Sequence, residues 1–245
     1  MILTEKSWRA DFAKNGLTEE IWNYEIGYIR NNELQYYTDS RENSYIENGE
    51  LVICARKTDD PDRPYTSASL NTQGKVEFLY GKLEMEAKLP CGTGIWPAFW
   101  TLGGQFGITE KWPECGEIDI MELIGGRGSE KTGGGDAEYF ATVHYPDEAT
   151  ICEKGLQSAR LAGKNYCDGY HKFGVIWTKE TVSFCVDDLL WKTISVADIP
   201  AFHKPHFLLL NIAVGGSWPG DPDATTRFPQ TYRIKSVTYT PLSEI

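Results

Sequence analysis

The sequence has no long apolar run and no cluster of basic residues, and each absence excludes a class of protein. No run approaches the roughly 18 apolar residues that a membrane-spanning helix needs, so no membrane span is predicted. Lys and Arg number 24 against 35 Asp and Glu, which gives a formal net charge of −11 at pH 7. Because nucleic-acid binders need a basic surface to displace counterions, nucleic acid is not an expected partner, and sulfated polymers are disfavoured for the same reason. The expected partner is neutral or cationic.

Metal-binding and targeting signatures are also lacking. None of the six cysteines has the paired CxxC spacing of a zinc knuckle, so a zinc site is not expected. No other metal site and no cofactor is predicted. Cys152 and Cys167 bracket a short segment and could close a disulfide loop, whereas Cys54 and Cys185 lie in apolar runs typical of buried thiols. The residues after Met1 do not show the basic and then apolar pattern of a signal peptide, which leaves the compartment open.

Aromatic residues are abundant. They form 13% of the chain, within a hydrophobic fraction of 41%, and so supply the core of a folded protein. A length of 245 residues suits one sandwich or barrel domain, so we expect a single domain over residues 1–245. Nothing in the sequence demands more than a monomer.

Short apolar runs separated by glycine and proline predict an all-β fold. In Gly81–Leu89, apolar residues alternate with Lys and Glu, the pattern of a sheet with one buried face. Glu153–Gly163 is the only segment that favours a short helix. We therefore predict a sandwich of two antiparallel sheets. The predicted strands are Glu50–Arg56, Gly81–Leu89, Trp96–Leu102, Glu117–Leu123, Ala137–Tyr145, His171–Thr178, Thr181–Val186, His206–Val214 and Tyr232–Tyr239.

One predicted strand carries three acids in a distinctive spacing. Glu117 and Asp119 are two residues apart and share a face, whereas Glu122 would point to the opposite face of a regular strand. A β-bulge at Ile120-Met121 would correct the register and bring all three carboxylates to one surface. The competing explanation is that these charges lie on an edge strand and deter aggregation. Edge strands are usually protected by Lys, however, and such protection does not need three acids that share one face. We therefore predict a bulged strand beside an active site.

Two carboxylic acids that face a groove are the minimal apparatus for cleaving a glycosidic bond. One attacks or supports the anomeric carbon, and the other protonates the leaving oxygen. The proton donor needs a raised pKa, which crowding by Glu117 and Asp119 would give Glu122. The sequence therefore predicts an elevated pKa at Glu122.

The hexapeptide Glu-Ile-Asp-Ile-Met-Glu, with its extra residue before the last Glu, resembles the signature of glycoside hydrolase family 16. This six-residue form is similar to the laminarinase, or endo-β-1,3-glucanase, branch. Supporting blocks occur in family order over most of the chain. These blocks are residues 32–38, 80–90, 94–100, 142–144 and 211–220.

The resemblance implies a fold, a mechanism and a set of roles. It implies a concanavalin-like β-jelly roll with a concave substrate cleft, acting as a single glycoside hydrolase catalytic domain. Glu117 would be the nucleophile, Glu122 the general acid/base and Asp119 the assistant of the nucleophile in a retaining double displacement. Retention implies a carboxylate separation of roughly 5 to 5.5 Å. Family members of this kind suggest a secreted or periplasmic location.

The same resemblance implies sugar-binding residues. Trp rings offer flat faces to the apolar face of a sugar, and polar side chains bind its hydroxyls. By family position, Trp96, Trp100 and Trp218 line the cleft, with Asn32 and His144 as polar contacts.

Three further tryptophans are not expected to bind sugar. Trp112, Trp177 and Trp191 are expected in packing or rim positions.

Two positions depart from the family pattern. Ser69 stands where many laminarinases carry an arginine that meets a bound sugar. Lys235 stands where many relatives have an aspartate that helps to hold a structural calcium. An ammonium group cannot ligate Ca²⁺ but can supply positive charge, so we predict no calcium there.

The leading hypothesis is hydrolysis of β-1,3-glucan, with mixed-linkage β-1,3-1,4-glucan as a further substrate. The same fold could act on galactans such as agarose, or transfer the glycosyl group to a sugar rather than to water. A non-catalytic β-glucan-binding module is the alternative from another class, and the intact acids argue against it.

Overall fold

The computed structural model describes residues 1–126, 134–146, 151–152, 157–161 and 164–245. Within these ranges nearly all regular structure is β-strand, and the strands form two sheets. The strands are β1 (Ile2–Leu3), β2 (Trp8–Ala10), β3 (Asn23–Glu25), β4 (Gln35–Tyr37), β5 (Ser44–Glu47), β6 (Glu50–Lys57), β7 (Tyr65–Ser67), β8 (Ser69–Asn71), β9 (Glu77–Phe78), β10 (Gly81–Lys88), β11 (Ile95–Gly103), β12 (Glu117–Leu123), β13 (Glu138–Pro146), β14 (Ile151–Cys152), β15 (Gln157–Arg160), β16 (His171–Trp177), β17 (Thr181–Val186), β18 (Leu189–Ser195), β19 (His206–Val214) and β20 (Gln230–Thr240).

Each sheet has a long central set of antiparallel strands. The first runs β1-β9-β19-β11-β12-β13-β14, with β8 and β3 joined beside β19 and β15 joined beside β13. The second runs β18-β17-β16-β10-β20-β6-β7-β4, with β2 and β5 as further partners. Two short peripheral pairs, β1 with β9 and β4 with β7, are parallel. The predicted two-sheet sandwich is confirmed, with this small parallel component added.

All nine predicted strands are present, with ends that differ by at most two residues. The predicted helix over Glu153–Gly163 is wrong where the structure describes it, because Gln157–Arg160 pairs with β13 as strand β15. Residues 153–156 and 162–163 lie outside the described residues. Pairing with an available strand edge here outweighs local helix propensity.

Helical structure is confined to short segments in the described part of the chain. The α-helix α1 (Phe12–Asn15) is capped by Asp11, whose carboxylate accepts a hydrogen bond from the Lys14 backbone N–H at 3.0 Å. Two 3-10 helices cover Pro200–His203 and Leu242–Glu244. None of the described helices is long and apolar enough to cross a membrane.

Successive side chains of a strand point to opposite faces of the sheet, one toward the core and the other toward the face that carries the candidate site. In β11, Ile95 and Phe99 pack into the main core between the sheets, whereas Trp96 and Trp100 belong to smaller clusters on the other face. Every residue of β11 is nevertheless buried, because bulky side chains also cover its outer face. That outer face carries the candidate site.

Five cysteines carry free thiols. Cys167 is hydrogen-bonded to Cys91, so the structure does not form the Cys152–Cys167 disulfide that the sequence allowed; the side chain of Cys152 lies outside the described residues. Cys54 and Cys185 are buried, as predicted.

Candidate active site

A groove of about 530 Å³ lies on the outer face of the first sheet. Its floor comes from adjacent strands β19, β11, β12 and β13, and its walls come from loops at their edges. The residues that line it are Arg30, Asn31, Glu33, Trp96, Ala98, Trp100, Leu102, Phe106, Trp112, Glu117, Asp119, Glu122, Thr142, His144, Asn211 and Trp218.

The predicted β-bulge is present in β12. Asp119 pairs with Thr142 of β13, and Glu122 pairs with Phe140, so three steps along β12 match two along β13. The register against β11 shifts in the same place. The extra residue returns Glu122 to the face of the other two acids, and all three carboxylates line the groove.

Two of the acids accept a hydrogen bond from an indole. Trp112 Nε1 donates to Glu117 Oε2 at 2.7 Å. Trp96 Nε1 donates to Glu122 Oε1 at 3.0 Å. These contacts hold each carboxylate in a fixed orientation, as a positioned nucleophile and proton donor require.

The middle acid is paired with a histidine. His144 Nε2 lies 3.0 Å from Asp119 Oδ2, and the histidine is opposite Glu117 in the strand register. The Trp112 ring packs against the His144 ring with centroids 5.8 Å apart. Asp119 is also hydrogen-bonded to Glu117, a contact in which one of the two carboxyl groups must carry the proton.

Burial and like charge make this site hold protons tightly. Burial raises the pKa of Glu117 well above its usual range, and the Asp119 charge raises it further against the opposing effects of His144 and Trp112. Burial, followed by the Glu122 charge, raises the pKa of Asp119 to about 6. The carboxylate crowding that we expected is therefore evident at these two acids, and the elevated pKa of Glu122 stays a prediction.

The raised pKa of Asp119 predicts a stability effect. A free Asp titrates near pH ~3.9, so between about pH 4 and 6 the folded protein binds more protons than the unfolded chain. Stability therefore falls as pH rises through this window. Asp119→Asn should remove the penalty and raise the free energy of unfolding at pH 7 by about 1 to 3 kcal/mol. Urea denaturation at pH 4 and pH 7 would measure it.

In that comparison, wild type and variant should differ little at pH 4, where the folded-state Asp119 is mostly protonated. The Asn side chain still offers an oxygen to His144, which makes it a conservative replacement. A variant that is less stable than wild type at pH 7 would contradict the assigned pKa.

Trp112 is a site residue that the sequence interpretation placed in packing or at the rim. It is 39% exposed, lines the groove and touches the carboxylate of Glu117. Its position in the turn directly before β12 is the signal that could have indicated this. By contrast, Trp177 is buried, and Trp191 packs against Tyr139, as expected.

Trp112→Phe should shift the pH profile of activity. Loss of the indole N–H raises the pKa of Glu117 further, because the hydrogen bond favours the ionised carboxylate. The acid limb of kcat/KM should move to higher pH, with about a tenfold loss at pH 5 and a smaller loss at pH 8. Trp191→Phe is the matched control, since Trp191 Nε1 donates to Tyr139 Oη at 2.7 Å. An unshifted acid limb in Trp112→Phe would contradict this role.

Four of the five predicted sugar-binding residues line the groove. Trp96 and Trp218 meet edge to face, with ring centroids 5.5 Å apart. Trp100 and His144 also line it. Asn32 does not, because its Nδ2 donates to Ser217 Oγ at 3.1 Å at the exposed edge, and its neighbour Asn31 faces the groove instead.

Asn211 and Glu33 also line the groove; both lie in the blocks that resemble the family, but neither was predicted as a site residue. Asn211 accepts from Trp100 Nε1 at 2.8 Å and donates to Tyr37 Oη at 3.0 Å. Glu33 is buried and accepts from Gln35 Nε2 at 2.6 Å, and burial raises its pKa. Their nearness to the acids results from the sheet order, which no local pattern reveals.

Within the described residues, Glu117, Asp119 and His144 form the one cluster whose ligand atoms could hold a metal, all lying within 4.8 Å of one another. These are the same groups that make the carboxyl–carboxyl and carboxyl–histidine contacts described above. At the position of the family's calcium aspartate, Lys235 Nζ donates to Glu86 Oε1 at 2.8 Å. The ammonium thus supplies a positive charge beside this carboxylate, and the absence of calcium there stays a prediction.

The fold and the groove together define a class of protein. A jelly-roll sandwich whose groove carries three phased carboxylates beside tryptophan rings is the arrangement of a glycoside hydrolase. The profile of the glycosyl hydrolases family 16 matches residues 31–235. The chain belongs to this family.

Characterised relatives and solved structures support the same assignment. The chain is 36% identical to a beta-glucanase of Rhodothermus marinus, over 90% of this chain and 80% of that protein. It is 30% identical to glucan endo-1,3-beta-glucosidase A1 of Niallia circulans, over 94% of this chain but only 37% of that longer protein. The laminarinase catalytic domain of Thermotoga maritima superposes with a TM-score of 0.83 at 38% identity, covering 96% of both chains.

Proposed function

We propose that this protein is a retaining endo-β-1,3-glucanase that hydrolyses laminarin-type glucans. The observation that carries the proposal is the bulged strand β12, which places Glu117, Asp119 and Glu122 together on the floor of the groove. The similarity to a laminarinase catalytic domain and to β-glucanases supports β-glucan as the substrate class. In this proposal residues 1–245 act as one catalytic domain, as a monomer.

The reaction proceeds in two displacements. Glu117 attacks the anomeric carbon while Glu122 donates its proton to the leaving glycosidic oxygen, which leaves a covalent glycosyl-enzyme. Glu122, now ionised, then takes a proton from water as the water oxygen attacks the anomeric carbon and releases Glu117. Two inversions restore the β configuration of the product.

The neighbouring groups serve these steps by position and charge. Trp112 favours the ionised form of Glu117 through its N–H, and Trp96 orients Glu122. The carboxyl group of Asp119 lies beside Glu117, where its charge contributes to the raised pKa of Glu117, and His144 holds Asp119 in place.

Reducing-end release from laminarin, mixed-linkage glucan and agarose, measured side by side, tests the substrate class. Fast release from laminarin that Glu117→Gln abolishes is the expected result. Release only from mixed-linkage glucan would change the assigned linkage, and release only from agarose would favour a galactanase.

Product masses separate hydrolysis from transglycosylation, because transfer lengthens the oligosaccharides. Retained laminarin binding without release from any substrate would favour a non-catalytic binding module.

A further inference from the structure

A partly buried arginine lies over one of the groove tryptophans. The Arg30 guanidinium carbon is 5.1 Å from the centroid of the Trp100 ring. Arg30 Nη2 donates to Glu25 Oε1, and Ser69 Oγ donates to the other Glu25 oxygen at 2.5 Å. Glu25 is therefore held by Ser69 and fixes the guanidinium above the ring. These contacts fix the arginine side chain in the groove wall, so it does not rotate freely at the surface.

One end of this guanidinium is left without a hydrogen-bond acceptor. Arg30 Nη1 is buried and finds no partner within the described residues, although the side chain lines the groove. A buried donor that makes no hydrogen bond costs free energy, and buried charged donors are nearly always satisfied. An oxygen supplied by a bound ligand would satisfy it.

The position of Arg30 also changes the role of Trp100. The Trp100 side chain is only 7% exposed, and the guanidinium covers part of the ring face that a sugar would otherwise stack on. A ligand in this part of the groove can therefore contact the guanidinium as well as the indole. Recognition here is by hydrogen bonding more than by stacking.

The charge around Arg30 indicates what kind of oxygen it binds. Glu25 is paired with the guanidinium, Glu33 lies close enough to interact with it electrostatically, and the three acids of β12 line the same groove. An anionic ligand group would be repelled by these carboxylates. A neutral hydroxyl oxygen is accepted without that repulsion.

We propose that Arg30 is a specificity-determining residue whose Nη1 donates a hydrogen bond to a hydroxyl oxygen of the sugar bound over Trp100. The inference rests on the proposed function, since it names a subsite of the same groove. Trp100 is opposite Asp119 across β11 and β12, and neighbouring strands are about 4.8 Å apart. The sugar held by Arg30 is therefore close to the one at the acids.

The test compares kcat/KM for laminari-oligosaccharides of increasing length, with end-labelled products mapped by mass to define which sugar fills which subsite. In wild type, the oligosaccharide that first fills this subsite should show a clear gain in kcat/KM over the next shorter one. Arg30→Met should reduce that gain by about tenfold or more, as expected for the loss of a charged donor. It should leave the shorter oligosaccharides nearly unchanged.

Arg63→Met is the matched control. Arg63 also lies over an aromatic ring, with its guanidinium carbon 4.1 Å from the Tyr36 centroid, but it does not line the groove. This variant should keep the wild-type gain. Arg30→Lys covers the case in which Arg30→Met does not fold, because Lys can pair with Glu25 but cannot also extend a second planar donor.

The outcomes are distinct. If folded Arg30→Met shows the same gain in kcat/KM as wild type, the inference is overturned and the proposed function still stands. If Arg30→Met does not fold, the same result in Arg30→Lys has this meaning. Wild-type protein that cleaves none of the laminari-oligosaccharides would overturn the proposed function itself. An equal loss for oligosaccharides of every length in Arg30→Met would show a structural role in place of a subsite, and would also overturn the inference.

Discussion

Glu117→Gln should lower kcat for laminarin by roughly 10⁴-fold or more, while KM changes little. The amide cannot attack the anomeric carbon, so the covalent step is lost. The Gln side chain keeps the shape of Glu and still offers an oxygen to Trp112 Nε1, which donates to Glu117 Oε2 in the wild type. Binding and fold are therefore retained, and the loss reports on chemistry. Initial rates of reducing-end release give the value.

The matched control for this variant is Glu84→Gln. Glu84 is a half-buried residue of β10 on the second sheet, where its partner is Lys82 and not a groove residue. Its replacement should leave kcat unchanged. A Glu117→Gln variant with more than about a tenth of wild-type kcat would exclude Glu117 as the nucleophile.

Glu122→Ala should give the second large loss, and one that depends on the leaving group. Without a proton donor, kcat/KM for laminarin should fall by about 10²- to 10⁴-fold. A laminaribioside with a dinitrophenolate leaving group needs no proton, so its first displacement should be nearly as fast as in wild type. Turnover should then be limited by the attack of water, which lacks its base.

Azide provides the complementary test of Glu122→Ala. The shortened side chain leaves room beside the anomeric carbon for an anion that needs no base. Added azide should restore turnover of the activated substrate and yield the β-glycosyl azide. Failure of azide to accelerate turnover, or an α-azide product, would contradict the assigned role. Glu84→Ala should show normal turnover and no response to azide.

The acidic strand shows how much of the site local sequence can predict. Glu117, Asp119 and Glu122 cannot share a face on a regular strand, so a functional grouping of the three demanded one extra residue between Asp119 and Glu122. The structure has that bulge, as the register against β13 shows. The prediction succeeded because strand geometry fixes the side-chain face of every residue once the bulge is placed.

The groove walls could not be predicted in the same way. Arg30 and Trp112 lie in segments with no periodic pattern, and only the sheet order brings them to the acids. Asn32 was predicted as a polar contact to the sugar, but Asn31 is the asparagine that lines the groove; a loop has no fixed side-chain period that could distinguish them. The short strand β15 was mistaken for a helix because its pairing with β13 is long-range.

Trapping of the covalent intermediate tests the central claim most directly. A 2-deoxy-2-fluoro-β-laminaribiosyl fluoride has a good leaving group but a destabilised second transition state, so the glycosyl-enzyme should accumulate. Mass spectrometry of the intact protein and of its peptides should then find one added glycosyl group, attached to Glu117. A label on Asp119 or on Glu122, or release of the α-anomer with no adduct, would contradict the double displacement at Glu117.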